Sequence, residues 1–104
     1  MKPLKIVTPA EAEFREAIKW YRDRDPRVAA RFVDEARQTL RLIETFPQIG
    51  GRVPGVDDRD VKRMPIHTFP YYVVFADLTD RLEVVAFAHN RRRPAYFMSR
   101  LRRS

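Results

Sequence analysis

The chain has 104 residues, 44% hydrophobic and 34% charged, with a formal net charge of +7 and no cysteine. Disulfides, thiolate chemistry and Cys-ligated metals are thereby excluded, and no apolar run approaches the roughly 20 residues that span a bilayer. The length predicts one domain, residues 1–104, with its own apolar core, and the opening Met1-Lys2-Pro3-Leu4-Lys5 lacks a secretion signal's apolar stretch, so a cytoplasmic protein without membrane partners is expected.

Residues 4–7 read as a short strand with Leu4 and Ile6 on one face. Thr8-Pro9-Ala10-Glu11 has the spacing of a capping box with Pro9 in the first turn. Ala10, Phe14, Ala17, Ile18 and Tyr21 then recur at helical spacing. Asp23-Arg24-Asp25-Pro26 breaks that helix, and Asp25 caps a second one with Pro26 at its first position. The second stripe runs Val28, Phe32, Ala36, Leu40 and Ile43, ending near Phe46-Pro47. Two helices joined by so short a turn form an antiparallel hairpin.

Residues 48–60 hold all three glycines and read as the longest loop. Strand-like sequence follows at 61–66, where Pro65 lacks an amide donor and marks the end of pairing or an edge. Residues 71–76 and 81–89, separated by Asp77-Leu78-Thr79-Asp80, are two apolar runs that pair as the central hairpin. Strict alternation puts Leu82, Val84, Ala86 and Ala88 on one face, with Glu83, Val85, Phe87 and His89 on the other. Pro94 opens a short terminal helix through about Arg103. The predicted fold is α+β: an N-terminal strand, an antiparallel helical hairpin packed on a mostly antiparallel three- to four-stranded sheet, and a short C-terminal helix.

Charge is unevenly spread. Residues 91–104 contain six arginines and no acid, leaving the first ninety residues close to neutral. Arginine outnumbers lysine 17 to 4, and guanidinium groups fork onto phosphates and carboxylates and stack on rings. A local cationic patch beside Tyr96 and Phe97 attracts a polyanion or an acidic protein; a solvated charge run is the bland reading. His67 has no partner at ligand spacing, so no metal or cofactor is expected.

Several segments, in order, resemble the RelE/ParE superfamily of bacterial type II toxins, and its ParE-type (plasmid stabilisation) branch most closely. They are Trp20-Tyr21, Ala30-Arg31-Phe32, Phe46-Pro47-Gln48-Ile49-Gly50, Lys62-Arg63-Met64-Pro65, Phe69-Pro70-Tyr71-Tyr72-Val73-Val74-Phe75, and Ala88-His89-Asn90-Arg91-Arg92-Arg93-Pro94-Ala95-Tyr96-Phe97 with Arg100. The resemblance implies the fold of those toxins and a growth inhibitor silenced by a cognate antitoxin in a hetero-oligomer. It leaves two targets open, since ParE-type members poison DNA gyrase while RelE-type members cleave mRNA on the ribosome. A non-toxic binding module of the same fold is a third possibility.

RNA cleavage through a 2′-hydroxyl needs a base, a cation for the charged phosphorane and a proton donor for the leaving oxygen. The candidates are Lys62, Arg63, His89, Arg91, Arg92 and Tyr96, although RelE-type toxins are lysine-rich across the active face and this chain has no lysine beyond Lys62. A gyrase poison needs no catalytic group. Arg91, Arg92, Arg93 and Arg100 on a protruding tail would contact the target, with Tyr96 and Phe97 as apolar anchors. An acidic antitoxin segment that folds on binding would lie on Trp20, Tyr21 and Phe32 and meet Arg63 and Arg92 with its carboxylates.

Overall fold

The computed structural model describes residues 1–101. In chain order the elements are β1 (Leu4–Ile6), α1 (Thr8–Arg24), α2 (Pro26–Thr45), a 3-10 turn (Pro47–Ile49), β2 (Gly51–Arg52), β3 (Val61–Pro65), β4 (Tyr71–Asp77), β5 (Leu82–His89) and a second 3-10 turn (Met98–Arg100). They form one sheet in the order β1-β5-β4-β3-β2, with β1 parallel to β5 and every other pair antiparallel. The expected α+β architecture is present with five strands rather than three or four. The addition is Gly51–Arg52, inside the stretch read as loop, because two residues are too few to show alternation.

Both helices lie on one face of the sheet. Phe32 of α2 is wholly buried at its centre and meets the rings of Phe14, Tyr21, Phe69 and Tyr71 at centroid distances of 5.1–5.7 Å. Burying such a side chain contributes about 1.5–3 kcal/mol. Asp25 joins the helices: its amide donates to the Tyr21 carbonyl at 2.7 Å and its carboxylate accepts from the Arg27 amide at 2.9 Å. One extended residue thus closes α1 and caps α2.

The expected capping box at Thr8 is absent. Val7 is the N-cap and makes no side-chain bond, while Thr8 is already helical. The cause is β1, because the Val7 amide donates to the Val84 carbonyl at 3.0 Å and holds residue 7 extended. The Glu11 amide then closes the first turn on the Val7 carbonyl at 3.0 Å.

Alternation along β5 is broken. Val74 pairs with Ala86 and Phe75 with Val84, so Val85 is an extra residue in the ladder. Leu82, Val84 and Phe87 consequently share the helical core, whereas Val85, Ala86 and Ala88 lie in a second core on the opposite face. This corrects the strict two-face assignment, and puts Phe87 and Val84 on the same side.

Val53, Val56 and Phe97 cover that second core. The C-terminal segment therefore lies against the sheet instead of projecting as a helix. Its backbone turns at Ala95, with φ 64°, and helical structure among its described residues is limited to the 3-10 turn at Met98–Arg100. A continuous helix would pull Phe97 out of the apolar layer that buries it. Arg102 and Arg103, where the terminal helix was expected to end, lie outside the described residues. No helix among the described residues is long and apolar enough to cross a membrane.

Candidate functional site

β1 accompanies β5 only as far as Val84, which leaves backbone groups on the outer edge of β5 without a strand partner. Side chains take its place. Glu13 of α1 accepts from the Phe87 amide at 3.1 Å and from Arg100 Nη1 at 2.8 Å through Oε1, and from the Tyr96 hydroxyl at 2.6 Å through Oε2. Arg100 Nη1 also donates to the Val85 carbonyl at 3.1 Å. The Glu13 and Arg100 side chains are 14% and 21% exposed. One carboxylate thus ties α1, the open strand edge and the C-terminal segment together.

Sequence reading missed Glu13. Its signal was local: it sits three residues after Ala10 and four before Ala17, within the buried stripe of α1, where an acid needs a partner.

The clasp fixes the Tyr96 ring, and the ring fixes arginines. Arg92 stacks over Tyr96 at 3.9 Å from guanidinium carbon to ring centroid, with Arg100 at 5.2 Å. Across the same face Arg63 lies 4.3 Å over Tyr72. Between them is a cleft of about 80 Å³ whose walls include Arg63, Tyr72, Arg92, Arg93 and Tyr96 and no carboxylate. Among the described residues none of these three arginines has an acidic partner within ion-pair distance. Burial, reinforced by the bond to Glu13 and its charge, raises the Tyr96 phenol above its ordinary value. Tyr96 is therefore a protonated donor at neutral pH.

A larger groove, of about 370 Å³, opens on the helical side and is lined by Glu16, Trp20, Tyr21, Tyr71, His89 and Arg92, among others. Trp20 is 51% exposed, whereas Tyr21 packs inward on Phe32 and Phe69. Adjacent helix positions point about 100° apart, so the pair divides between core and surface. Arg24 lies 3.5 Å over the indole and donates to the Trp20 carbonyl at 2.8 Å. Burial raises the Tyr21 and Tyr71 phenols, with the charges of Glu13 and Glu16 adding to the effect on Tyr71. His89 stacks edge-on to Tyr71 at 5.0 Å, and its Nδ1 accepts the Arg91 amide at 3.0 Å.

Four of the six nuclease candidates, Arg63, His89, Arg92 and Tyr96, border the small cleft, whereas Lys62 and Arg91 do not. Arg63 faces the second core side, over Tyr72 and opposite Val74, while its neighbour Lys62 pairs with Phe75 and stands against the Gly50 backbone on the helical side. His89 packs edge-on to Tyr71 and borders both cavities, and the Tyr96 hydroxyl donates to Glu13. His89 and Arg92 line both cavities, and of the two Arg92 is stacked on Tyr96.

Two expected contact residues are buried. Phe32 is fully buried under both helices and cannot receive a partner's side chain without unfolding the core. Phe97 is 2% exposed because it fills the second core, so it anchors the segment rather than a target. Arg91 and Arg93 are exposed, and Arg100 is half withdrawn into the clasp.

Residues 4–94 match the family described as ParE toxin of type II toxin-antitoxin system, parDE. The chain belongs to the ParE toxin family. Its fold matches a solved chain of the chromosomal ParDE toxin-antitoxin system from P. aeruginosa, with a TM-score of 0.72 at 16% identity, covering 86% of this chain and 96% of that one. No curated protein sequence matches. The family match ends at Pro94, so Tyr96, Phe97 and Arg100, the tail's half of the clasp, fall beyond it. Glu13, Arg63, Arg92 and Arg93 fall within it.

Proposed function

We propose that this ParE-family chain arrests growth without catalysis, by holding DNA gyrase on its cleaved DNA, and that a cognate acidic antitoxin neutralises it by occupying the adjoining helical groove and engaging Arg92. The observation that carries the reading is the gathering of Arg63, Arg92 and Arg93 at one cleft whose tyrosine hydroxyl is bonded to Glu13 and from which Lys62 is turned away. Phosphorane stabilisation requires base, cation and acid within hydrogen-bond reach of one phosphate. Lys62 and Arg63 leave opposite faces of β3, and the Tyr96 hydroxyl donates its hydrogen bond to an internal carboxylate. A poison has a lighter requirement, namely cations held in place that bind without reading bases. The antitoxin would occupy the groove beside exposed Trp20, where Arg92 reaches its carboxylates from the rim.

The test is induction in a bacterial host, followed by two assays on purified protein: gyrase supercoiling and primer extension on ribosome-bound mRNA. The expected result is growth arrest with supercoiling inhibited, retained in His89→Ala and lost in Arg91/Arg92/Arg93→Ala. Ribosome-dependent cleavage that disappears with His89→Ala would overturn the reading in favour of a nuclease. Absence of growth arrest would identify a binding module.

A further inference from the structure

From the two stacked guanidinium groups we infer that the cleft between Arg63 and Arg92 is a preformed seat for one phosphodiester group of a DNA backbone. The inference rests on the proposed function for its biological setting and on geometry for its chemistry. Exposed arginines ordinarily sample many rotamers. Here Arg63 is laid over Tyr72 at 4.3 Å and Arg92 over Tyr96 at 3.9 Å. Tyr96 is held in turn by the Glu13 carboxylate at 2.6 Å on its far side. Ring-stacked guanidinium groups keep their N–H edges free to fork onto an anion.

Size and charge select the occupant. At about 80 Å³ the cleft is well below the roughly 300 Å³ of ordinary small-molecule pockets, and it accommodates a single anionic group. Arg63, Arg92 and Arg93 border it and no acid does. Both flanking rings already carry a cation, so bases have no free aromatic platform and contact is restricted to the backbone. Binding at this site is therefore indifferent to sequence and strongly dependent on salt. Glu13 is the positioning residue. It reaches no ligand, yet it sets the Tyr96 ring that aims Arg92.

The experiment is fluorescence anisotropy of the full chain on a labelled 20-base-pair duplex of arbitrary sequence, across a salt series. Arg63→Gln and Arg92→Gln each weaken binding about tenfold and reduce the steepness of the log–log salt slope by about one. Arg37→Gln, which removes the same charge from the exposed face of α2, changes affinity less than twofold. Arg63→Lys keeps the charge, loses the fork and falls between. Glu13→Gln weakens binding several-fold with an unchanged salt slope, the mark of lost aim rather than a lost contact.

Equal losses for Arg63→Gln and Arg37→Gln would overturn the site, leaving only the general field of a +7 chain. So would a polyglutamate peptide that displaces the duplex at matched charge, because the cleft would then prefer a protein carboxylate. Gyrase inhibition without any duplex binding sinks this site and leaves the proposed function standing. Arginine-specific duplex binding without gyrase inhibition does the reverse.

Discussion

Replacing Glu13 with alanine is the sharpest perturbation this structure offers. The substitution removes the acceptor of three donors: the Phe87 amide, the Tyr96 hydroxyl and Arg100 Nη1. Hydrogen bonds to a charged group contribute about 1.5–3 kcal/mol each, and breaking a buried ion pair costs about 3–5 kcal/mol. The Glu13–Arg100 pair is 14% and 21% exposed, so water replaces part of what is lost. A net loss of about 3 kcal/mol follows, and for a domain of this size each kcal/mol lowers Tm by about 4–8 °C. Glu13→Ala should therefore melt about 12–24 °C below the parent by circular dichroism at 222 nm. Glu13→Gln keeps one acceptor oxygen, enough for the Phe87 amide, but turns an NH2 donor toward the Tyr96 hydroxyl, and should lose less than Glu13→Ala. The deciding measurement is a double-mutant cycle between Glu13→Ala and Tyr96→Phe, with a coupling of about 1 kcal/mol or more expected. Additive losses, or a Glu13→Ala variant within about 0.5 kcal/mol of the parent, would refute the clasp.

Three further outcomes follow from individual contacts. Gly50→Ala would bring a Cβ to 2.8 Å from Lys62 Cβ and 2.9 Å from the Phe75 ring, so urea unfolding should show a loss of about 1–3 kcal/mol. Gly51→Ala, whose Cβ meets nothing closer than 4.0 Å, should be nearly silent in the same assay. Asp25→Ala removes the acceptor of the Arg27 amide and should cost about 0.5–2 kcal/mol of thermal stability. The phenols of Tyr21, Tyr71 and Tyr96 are raised by burial, so the folded state holds their protons more tightly than the unfolded chain does. Their contribution is complete below the free tyrosine value of about 10 and falls as pH rises through the folded values. Absorbance at 295 nm should accordingly show delayed phenolate formation that accompanies alkaline unfolding. Tyr96→Phe should remove part of the delayed signal.

What the sequence made legible was governed by short-range rules. The stripes of α1 and α2, the Asp25 cap and the central hairpin each arise from neighbours within a few residues, and each is present. The failures have a common physical origin in contacts between distant parts of the chain. The capping box at Thr8 satisfies local chemistry, yet pairing of Val7 with Val84 moved the helix start. The bulge at Val85 is invisible because residues 84–88 are apolar on both faces, so nothing in the pattern fixes their phase. The tail looked like a projecting helix because its arginines are conspicuous and its tether is not. Glu13 lies 83 residues from Tyr96 and 87 from Arg100.

That tether changes how the basic segment is to be understood. A free tail of arginines binds any polyanion, and pays for order at the moment of contact. Here the segment from Arg91 to Leu101 is ordered on folding, because Phe97 is buried beneath the sheet and Glu13 holds both Tyr96 and Arg100. Among the described residues around the cleft, the arginines without an acidic partner are those stacked on tyrosines or standing at the turn, in positions fixed before any partner arrives. Arg92 and His89 border both the helical groove and the cleft on the other face, so a single guanidinium group adjoins both surfaces. An occupant of the groove that draws Arg92 toward its own carboxylate removes it from Tyr96 and from the cleft. Neutralisation would then need no overlap between the inhibitor and the target beyond that one guanidinium group. Arg92→Gln should on this argument weaken binding to both partners, whereas Arg63→Gln should weaken binding to the target alone. Equal losses at both sites for both variants would show that the two surfaces are one.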